Sequence, residues 1–197
     1  MTKLISHIRA GIMGVLISAL VYATLFYMNA WLTSELVFSV GVNWVYLPAG
    51  LRLFLTLIFG WSGALGIAIA SFLISYLGAL PSDLTLCIGT GFISGFAPYL
   101  ARFVVFQNVK LDPDLSNLSL PRLLICILIY AGLSSGLHQV WYGVMGLENS
   151  GSFNHFFVMF VGDVLGSLLL ISLIKSSLDC LRKFGQFSLQ KDYRDDL

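Results

Sequence analysis

Two charged side chains, Arg52 and Asp163, lie inside long apolar segments of this 197-residue sequence. A charge near the centre of a membrane-spanning helix costs about 2.5–3.5 kcal/mol, so such residues are usually kept for function or for pairing. At about 1.5 Å of rise per residue, both fall roughly 10–15 Å below the same predicted membrane surface. We therefore predict an ion pair between Arg52 and Asp163, which either anchors a ligand or pins two helices together.

Polar and aromatic residues at the start of the second predicted helix and in the fifth and sixth predicted helices accompany this pair at a similar depth. They are Trp44, Tyr46, His138, Trp141, Tyr142 and His155. With Arg52 and Asp163 they predict an outward-opening pocket, polar at its floor and aromatic at its rim, for a small polar or anionic ligand held by the arginine. The alternative is structural, because tyrosine and tryptophan are enriched at membrane interfaces and histidines near the interface can be solvated.

No catalytic constellation is predicted from the sequence. There is no HExxH and no carboxylate cluster with metal-ligand spacing, and His138 with Ser134 has no orienting acid nearby. Cys87, Cys126 and Cys180 are single and scattered, which favours packing over metal binding. The net charge is +1 and no long basic run occurs outside the termini, so no nucleic-acid-binding stripe is expected. We expect no enzyme activity, no cofactor and no metal.

The elements that must position these residues are membrane-spanning helices. Hydrophobic residues make up 57% of the sequence and charged residues only 11%, against roughly 25% in soluble domains, so a water-facing surface cannot be built. Apolar runs approaching the roughly 20 residues that cross a bilayer predict an all-α polytopic membrane helix bundle. Its six helices are predicted at 9–28, 45–59, 62–80, 84–106, 123–144 and 153–175. They form one transmembrane domain, 1–177, followed by a short cytoplasmic tail, 178–197.

The distribution of positive charge predicts the orientation of this bundle in the lipid bilayer. If six helices alternate in direction, all 11 lysines and arginines except Arg52 lie on one side. The positive-inside rule then places both termini in the cytoplasm and the loops 29–44, 81–83 and 145–152 outside. The first of these loops is interpreted as an interfacial helix on the outer leaflet.

Small residues predict where helices pack closely within the bundle. Glycines four residues apart let helix backbones approach each other, and a proline is well placed near a helix start. The predicted packing residues are Pro48, Gly50, Gly132, Gly136, Gly162 and Gly166.

Two segments carry a resemblance to a known family. The stretch from Trp44 to Gly50, Trp-Val-Tyr-Leu-Pro-Ala-Gly, and the stretch Gly-Asp-Val-Leu-Gly from Gly162 to Gly166 resemble the opening and closing signatures of the first class of MASE (membrane-associated sensor) domains. The resemblance covers roughly residues 44–175 and implies a bacterial integral membrane sensory module. It carries over to Trp44, Pro48, Gly50, Asp163 and Gly166. The chain departs from the family in having six predicted spans rather than about eight and no attached kinase or cyclase domain.

We therefore expect a stand-alone MASE-like sensory or ligand-binding module of the bacterial inner membrane, acting through a membrane or cytoplasmic protein partner. One alternative is a small transport protein, such as a substrate-capturing subunit of a transporter. Another is a structural subunit of a membrane complex. Size and glycine content fit the transport alternative as well as the sensory one.

Overall fold

Six α-helices dominate the part of the chain that the structure describes. The computed structural model describes the backbone of residues 2–108, 119–148 and 150–195. It describes the side-chain surroundings of residues 6–107, 119–148 and 150–177. The helices are α1 (Thr2–Leu32), α2 (Leu47–Phe59), α3 (Trp61–Ile74), α4 (Leu84–Asn108), α5 (Leu120–Val144) and α6 (Phe153–Asp195). The prediction of an all-α membrane helix bundle is confirmed. The predicted tail begins within α6, which continues as a helix to Asp195.

Five of these helices are long and apolar enough to cross a membrane. The candidate spans are Ser6–Leu32, Trp61–Ala79, Leu84–Gln107, Leu120–Val144 and Phe153–Ser177. The exception is α2, whose 13 residues extend only about 20 Å. A bilayer core is about 30 Å thick, so the second predicted helix is not a complete span. It ends at Gly60, whose positive φ of 58° allows the sharp reversal into α3.

The loop between α1 and α2 forms a hairpin. Strands β1 (Val37–Ser39) and β2 (Val42–Asn43) pair antiparallel across a turn in which Gly41 has a φ of 74°. The interpretation of this loop as an interfacial helix is therefore wrong. Its valines and phenylalanine favour an extended backbone, and the glycine supplies the left-handed conformation that a tight hairpin turn requires.

Helix α2 lies at the centre of the bundle. It contacts each of the five other helices, and ten of its 13 residues are buried. The outer helices instead present large apolar side chains to their surroundings, as expected for faces in contact with a lipid bilayer. Examples are Leu20, Leu77, Val140, Val144 and Phe153. The bundle therefore places the residues of α2 where the other helices surround them.

Candidate functional site

Helix α2 begins deep inside the bundle because two other helices hold its first turn. The backbone N–H of Tyr46 donates to the carbonyl of Gly162 on α6 at 3.1 Å. The N–H of Leu47 donates to the Asn29 side-chain oxygen on α1 at 2.9 Å. Gly162 lies about 14 Å along α6 from Phe153, so α2 starts at that depth. The first N–H groups of a helix usually donate to the side chain of a neighbouring Ser, Thr, Asp or Asn. In α2 the side-chain oxygen of Asn29, on another helix, takes this place.

Glycines allow α2 and α6 to approach at backbone distance. A Cβ on Gly50 would lie 2.7 Å from the Cα of Ser167, and one on Gly166 would lie 2.7 Å from the N of Leu47 and closer still to the Tyr46 carbonyl. A Cβ on Gly162 would likewise collide with the Asn43 carbonyl. These contacts fix the register between Tyr46 on one side and the α6 segment that carries Asp163 on the other.

Gly132 and Gly136 do not mediate a comparable contact. A Cβ on Gly132 would have no atom within 4 Å, and one on Gly136 would only reach Phe156 at 3.9 Å. These two residues were expected to pack closely, but the helix spacing around this stretch of α5 does not require a glycine. Pro48 is buried in the first turn of α2, where a missing N–H costs nothing.

Arg52 is held by two tyrosines. It is 4% exposed, and its Nη2 donates to the hydroxyl of Tyr46 at 2.9 Å and to the hydroxyl of Tyr22 on α1. The guanidinium also lies over both rings, 5.0 Å from the centroid of Tyr22 and 5.1 Å from that of Tyr46. Side chains on a helix lean toward its N-terminus, so the guanidinium reaches back toward the start of α2. Its Nε and Nη1 have no hydrogen-bond partner among the residues that the structure describes.

Asp163 is also buried, at 1% exposure, and neither of its carboxylate oxygens has a hydrogen-bond partner within the described residues. The predicted direct ion pair between Arg52 and Asp163 is therefore not formed. The Nη2 group of Arg52 instead donates to the hydroxyls of Tyr22 and Tyr46. The depths estimated from the sequence were similar, but depth alone does not specify which neighbours a side chain reaches.

A cavity of about 520 Å³ connects the two charged residues. This volume is typical of small-molecule sites. Strands β1 and β2 cover it with Val37, Ser39 and Asn43, and the turn residues Val40 and Gly41 add to this cover. Its walls and floor come from all six described helices and the residues next to them, and include Tyr22, Phe26, Tyr46, Arg52, Ser71, Ser75, Thr90, His138, Tyr142, Met159 and Asp163. The lining thus combines an aromatic wall with two charges at the floor.

His138 lines this cavity, but both of its ring nitrogens are hydrogen-bonded to other protein groups. Nδ1 lies 2.8 Å from the carbonyl of Ser134, which can only accept, so Nδ1 carries the proton. Nε2 then accepts from the Ser94 hydroxyl at 3.3 Å, and Ser94 accepts from Ser71 at 2.8 Å. This chain links α3, α4 and α5, so His138 connects helices and presents its ring to the cavity.

Three of the predicted site residues lie away from the cavity. Trp44 packs edge-on against Phe38, with ring centroids 5.9 Å apart, and is 40% exposed. His155 contacts Phe38 as well and pairs with the neighbouring Ser152 hydroxyl. Trp141 donates its indole N–H to the Leu86 carbonyl at 3.1 Å, between α5 and α4. Arg52, Asp163, Tyr46, His138 and Tyr142 are the predicted site residues that the fold brings together around the cavity.

Sequence reasoning missed the contribution of α1. Ser18, Tyr22 and Asn29 are all buried, although only 17% of the most apolar window of this helix is buried. Their spacing of four and seven residues places them on one helix face. A polar stripe of this kind in an otherwise apolar span indicates the side that faces the bundle.

No protein-family model, no curated protein and no solved structure matches this chain. The class of protein is therefore defined by the fold and the cavity alone. It is a multi-pass membrane protein with a short central helix and a cavity lined by the buried side chains of Arg52 and Asp163.

Proposed function

We propose that this chain is a membrane receptor that binds a small molecule in the cavity through an anionic group placed on Arg52. The observation that carries the proposal is the state of this arginine, which is buried and charged and has two of its three nitrogens unpaired. Guanidinium N–H groups are strong donors to carboxylate and phosphate oxygens. Tyr22 and Tyr46 fix the guanidinium in advance, which lowers the ordering cost of binding.

Ligand occupancy would be transmitted through α2. An anion on Arg52 adds a contact to α2, which touches the five other described helices, and it would shift α2 against α6 along their glycine contact. The resemblance to MASE domains supports a sensory role in the bacterial inner membrane, with a separate protein as the output. In the proposed orientation the termini are cytoplasmic and the hairpin faces outward.

A second candidate function is the capture of a solute for uptake. The hairpin favours it, because a cover of two short strands over the cavity could enclose a solute after binding. In that case the partner would be an energising transport complex rather than a signalling protein.

The binding proposal is tested by thermal unfolding of the purified protein in lipid nanodiscs. The compounds are a panel of free amino acids and simple organic carboxylates at about 10 mM, since a ligand at 100 times its Kd raises stability by about 2.7 kcal/mol. The variants are Arg52→Gln and, as a matched control, Arg102→Gln, which alters an arginine beside Gly60 outside the cavity. We expect at least one compound to raise the Tm of the wild type and of Arg102→Gln, but not of Arg52→Gln. Equal stabilisation of both variants, or no stabilisation of the wild type, contradicts the proposal.

The sensory and transport roles are separated in cells. Uptake of the stabilising compound, carrying a radioactive label, is compared between cells producing the wild type and cells producing Arg52→Gln. Unchanged uptake together with altered output of a co-encoded signalling protein supports the sensor. Loss of uptake would identify the chain as a capturing subunit instead.

A further inference from the structure

Unpaired polar atoms are concentrated beside the cavity floor. Within the described residues, six buried side-chain atoms without a hydrogen-bond partner belong to four residues of α2, α5 and α6: Nε and Nη1 of Arg52, the hydroxyls of Tyr130 and Ser134, and both carboxylate oxygens of Asp163. The four residues are neighbours, since Tyr130 lies near Arg52 and Ser134 lies near Asp163. Such atoms are rare in folded proteins and are usually satisfied by water or a ligand. Their concentration here indicates that this region interacts with more than the protein chain itself.

The two charges of this group are of opposite sign and are held apart. Arg52 is fixed by the hydroxyls of Tyr22 and Tyr46, while Asp163 sits between Gly162 and Gly166, whose backbones lie directly against the start of α2. Both residues line the same cavity. An isolated buried charge is strongly unfavourable unless a partner neutralises it, and within the described residues neither Arg52 nor Asp163 has a hydrogen bond to an oppositely charged side chain.

A ligand with only one charge would match half of this site. A simple anion on Arg52 would leave the Asp163 carboxyl group in the same cavity without a partner, and a simple cation would be repelled by Arg52. A molecule that carries both charges satisfies both residues at once, with charge-assisted hydrogen bonds at each end.

We infer that the ligand is a zwitterion of the amino-acid type, whose anionic group binds Arg52 and whose ammonium group binds Asp163. The inference rests on the proposed function and names the substrate class for the same cavity. Tyr22, Phe26 and Tyr142 supply aromatic surface for an apolar side chain, and about 520 Å³ leaves room for one.

The test uses matched sets of three compounds on the wild-type protein in nanodiscs. One set is L-phenylalanine, hydrocinnamate, which lacks the amino group, and phenethylamine, which lacks the carboxylate. A second is L-leucine, isocaproate and isoamylamine, and the remaining proteinogenic amino acids are screened alongside. Sites built around a polar group of the ligand discriminate strongly against analogues that lack it, by factors of about 10⁴ in favourable cases. We expect at least one amino acid to bind about 100-fold or more tightly than either of its analogues.

Substitution of the carboxylate then identifies the residue responsible. In Asp163→Asn the advantage of the amino acid over its carboxylate analogue is expected to fall below about threefold, because the amide carries no charge to pair with the ammonium group. Glu35→Gln is the matched control, since Glu35 is exposed and does not line the cavity, and it is expected to keep the full discrimination. Discrimination that survives in Asp163→Asn overturns the inference.

The wild-type comparison does not depend on any variant being folded. If the carboxylate analogues stabilise the wild type as well as the amino acids do, the zwitterion inference fails while the proposed function stands, and water molecules become the expected partners of Asp163. If no compound of any class stabilises the protein, both fail.

Discussion

Replacing Gly166 by alanine tests the closest helix contact of the site. A Cβ at this position would lie 2.7 Å from the N of Leu47 and closer still to the Tyr46 carbonyl, whereas ordinary contacts begin near 3.4 Å. Helix α6 would have to move away from α2 by roughly 1 Å, since backbone atoms cannot rotate aside as a side chain can. Gly132→Ala is the matched control, because a Cβ there has no atom within 4 Å.

The expected magnitude follows from comparing the two substitutions. Both gain the advantage of alanine over glycine inside a helix, about 0.5–1 kcal/mol, so this contribution cancels in the comparison. What is left is the cost of overpacking at Gly166, about 1–3 kcal/mol. For a chain of this size each kcal/mol shifts the Tm by about 2–4 °C, so Gly166→Ala should unfold about 2–12 °C below Gly132→Ala.

The assay is thermal unfolding in nanodiscs followed by tryptophan fluorescence. Gly166→Ala is also expected to weaken the binding of any compound that stabilises the wild type, because the same movement carries Asp163 away from Tyr46. Equal Tm values for Gly166→Ala and Gly132→Ala would refute the contact geometry on which the site is built.

Three further outcomes follow from other parts of the fold. Asn29→Ala should lower stability by about 1–3 kcal/mol in chemical unfolding, since it leaves the buried N–H of Leu47 without an acceptor. Gly41→Val forces a φ of 74° on a β-branched residue, so it should destabilise the hairpin, seen as faster amide hydrogen exchange across 37–43, and weaken cavity ligands. In a cysteine-free background, Glu35→Cys should react with a membrane-impermeant maleimide in intact cells and Leu120→Cys should not, as the positive-inside rule requires. Labelling of Leu120→Cys alone would reverse the proposed orientation.

The helix bundle could be predicted from the sequence because hydropathy and length decide it. Long apolar segments with few charges have almost no stable alternative to membrane helices. The depth at which α2 starts could not be predicted in this way. It depends on the amide of Asn29 and the carbonyl of Gly162, which lie far away in sequence and meet Leu47 and Tyr46 only in the folded bundle.

The site was predicted only in part, again because some of its contacts join residues that lie far apart in the sequence. Arg52 and Asp163 stand out in the sequence because charge in an apolar segment is costly, and both line the cavity. Arg52 donates to the hydroxyl of Tyr22 rather than to Asp163. Hydropathy does not single out Tyr22, because a tyrosine in an apolar span changes the mean hydropathy little. Trp44, Trp141 and His155 were assigned to the pocket by depth alone. Depth does not specify the direction in which a side chain points, and these three point elsewhere.

The shortness of α2 also has a consequence for how the protein is made. Helix α2 carries Arg52, so its apolar residues barely offset the cost of inserting it alone, and it must enter the membrane as a hairpin with α3 across Gly60. Its glycine contact is with α6, which leaves the ribosome about a hundred residues later. During that interval Tyr22 and Asn29 on α1 are already synthesised and can shelter the arginine and the first turn of α2. Maturation of the cavity therefore waits for the last helix, so a chain truncated before α6 should be membrane-inserted yet readily degraded.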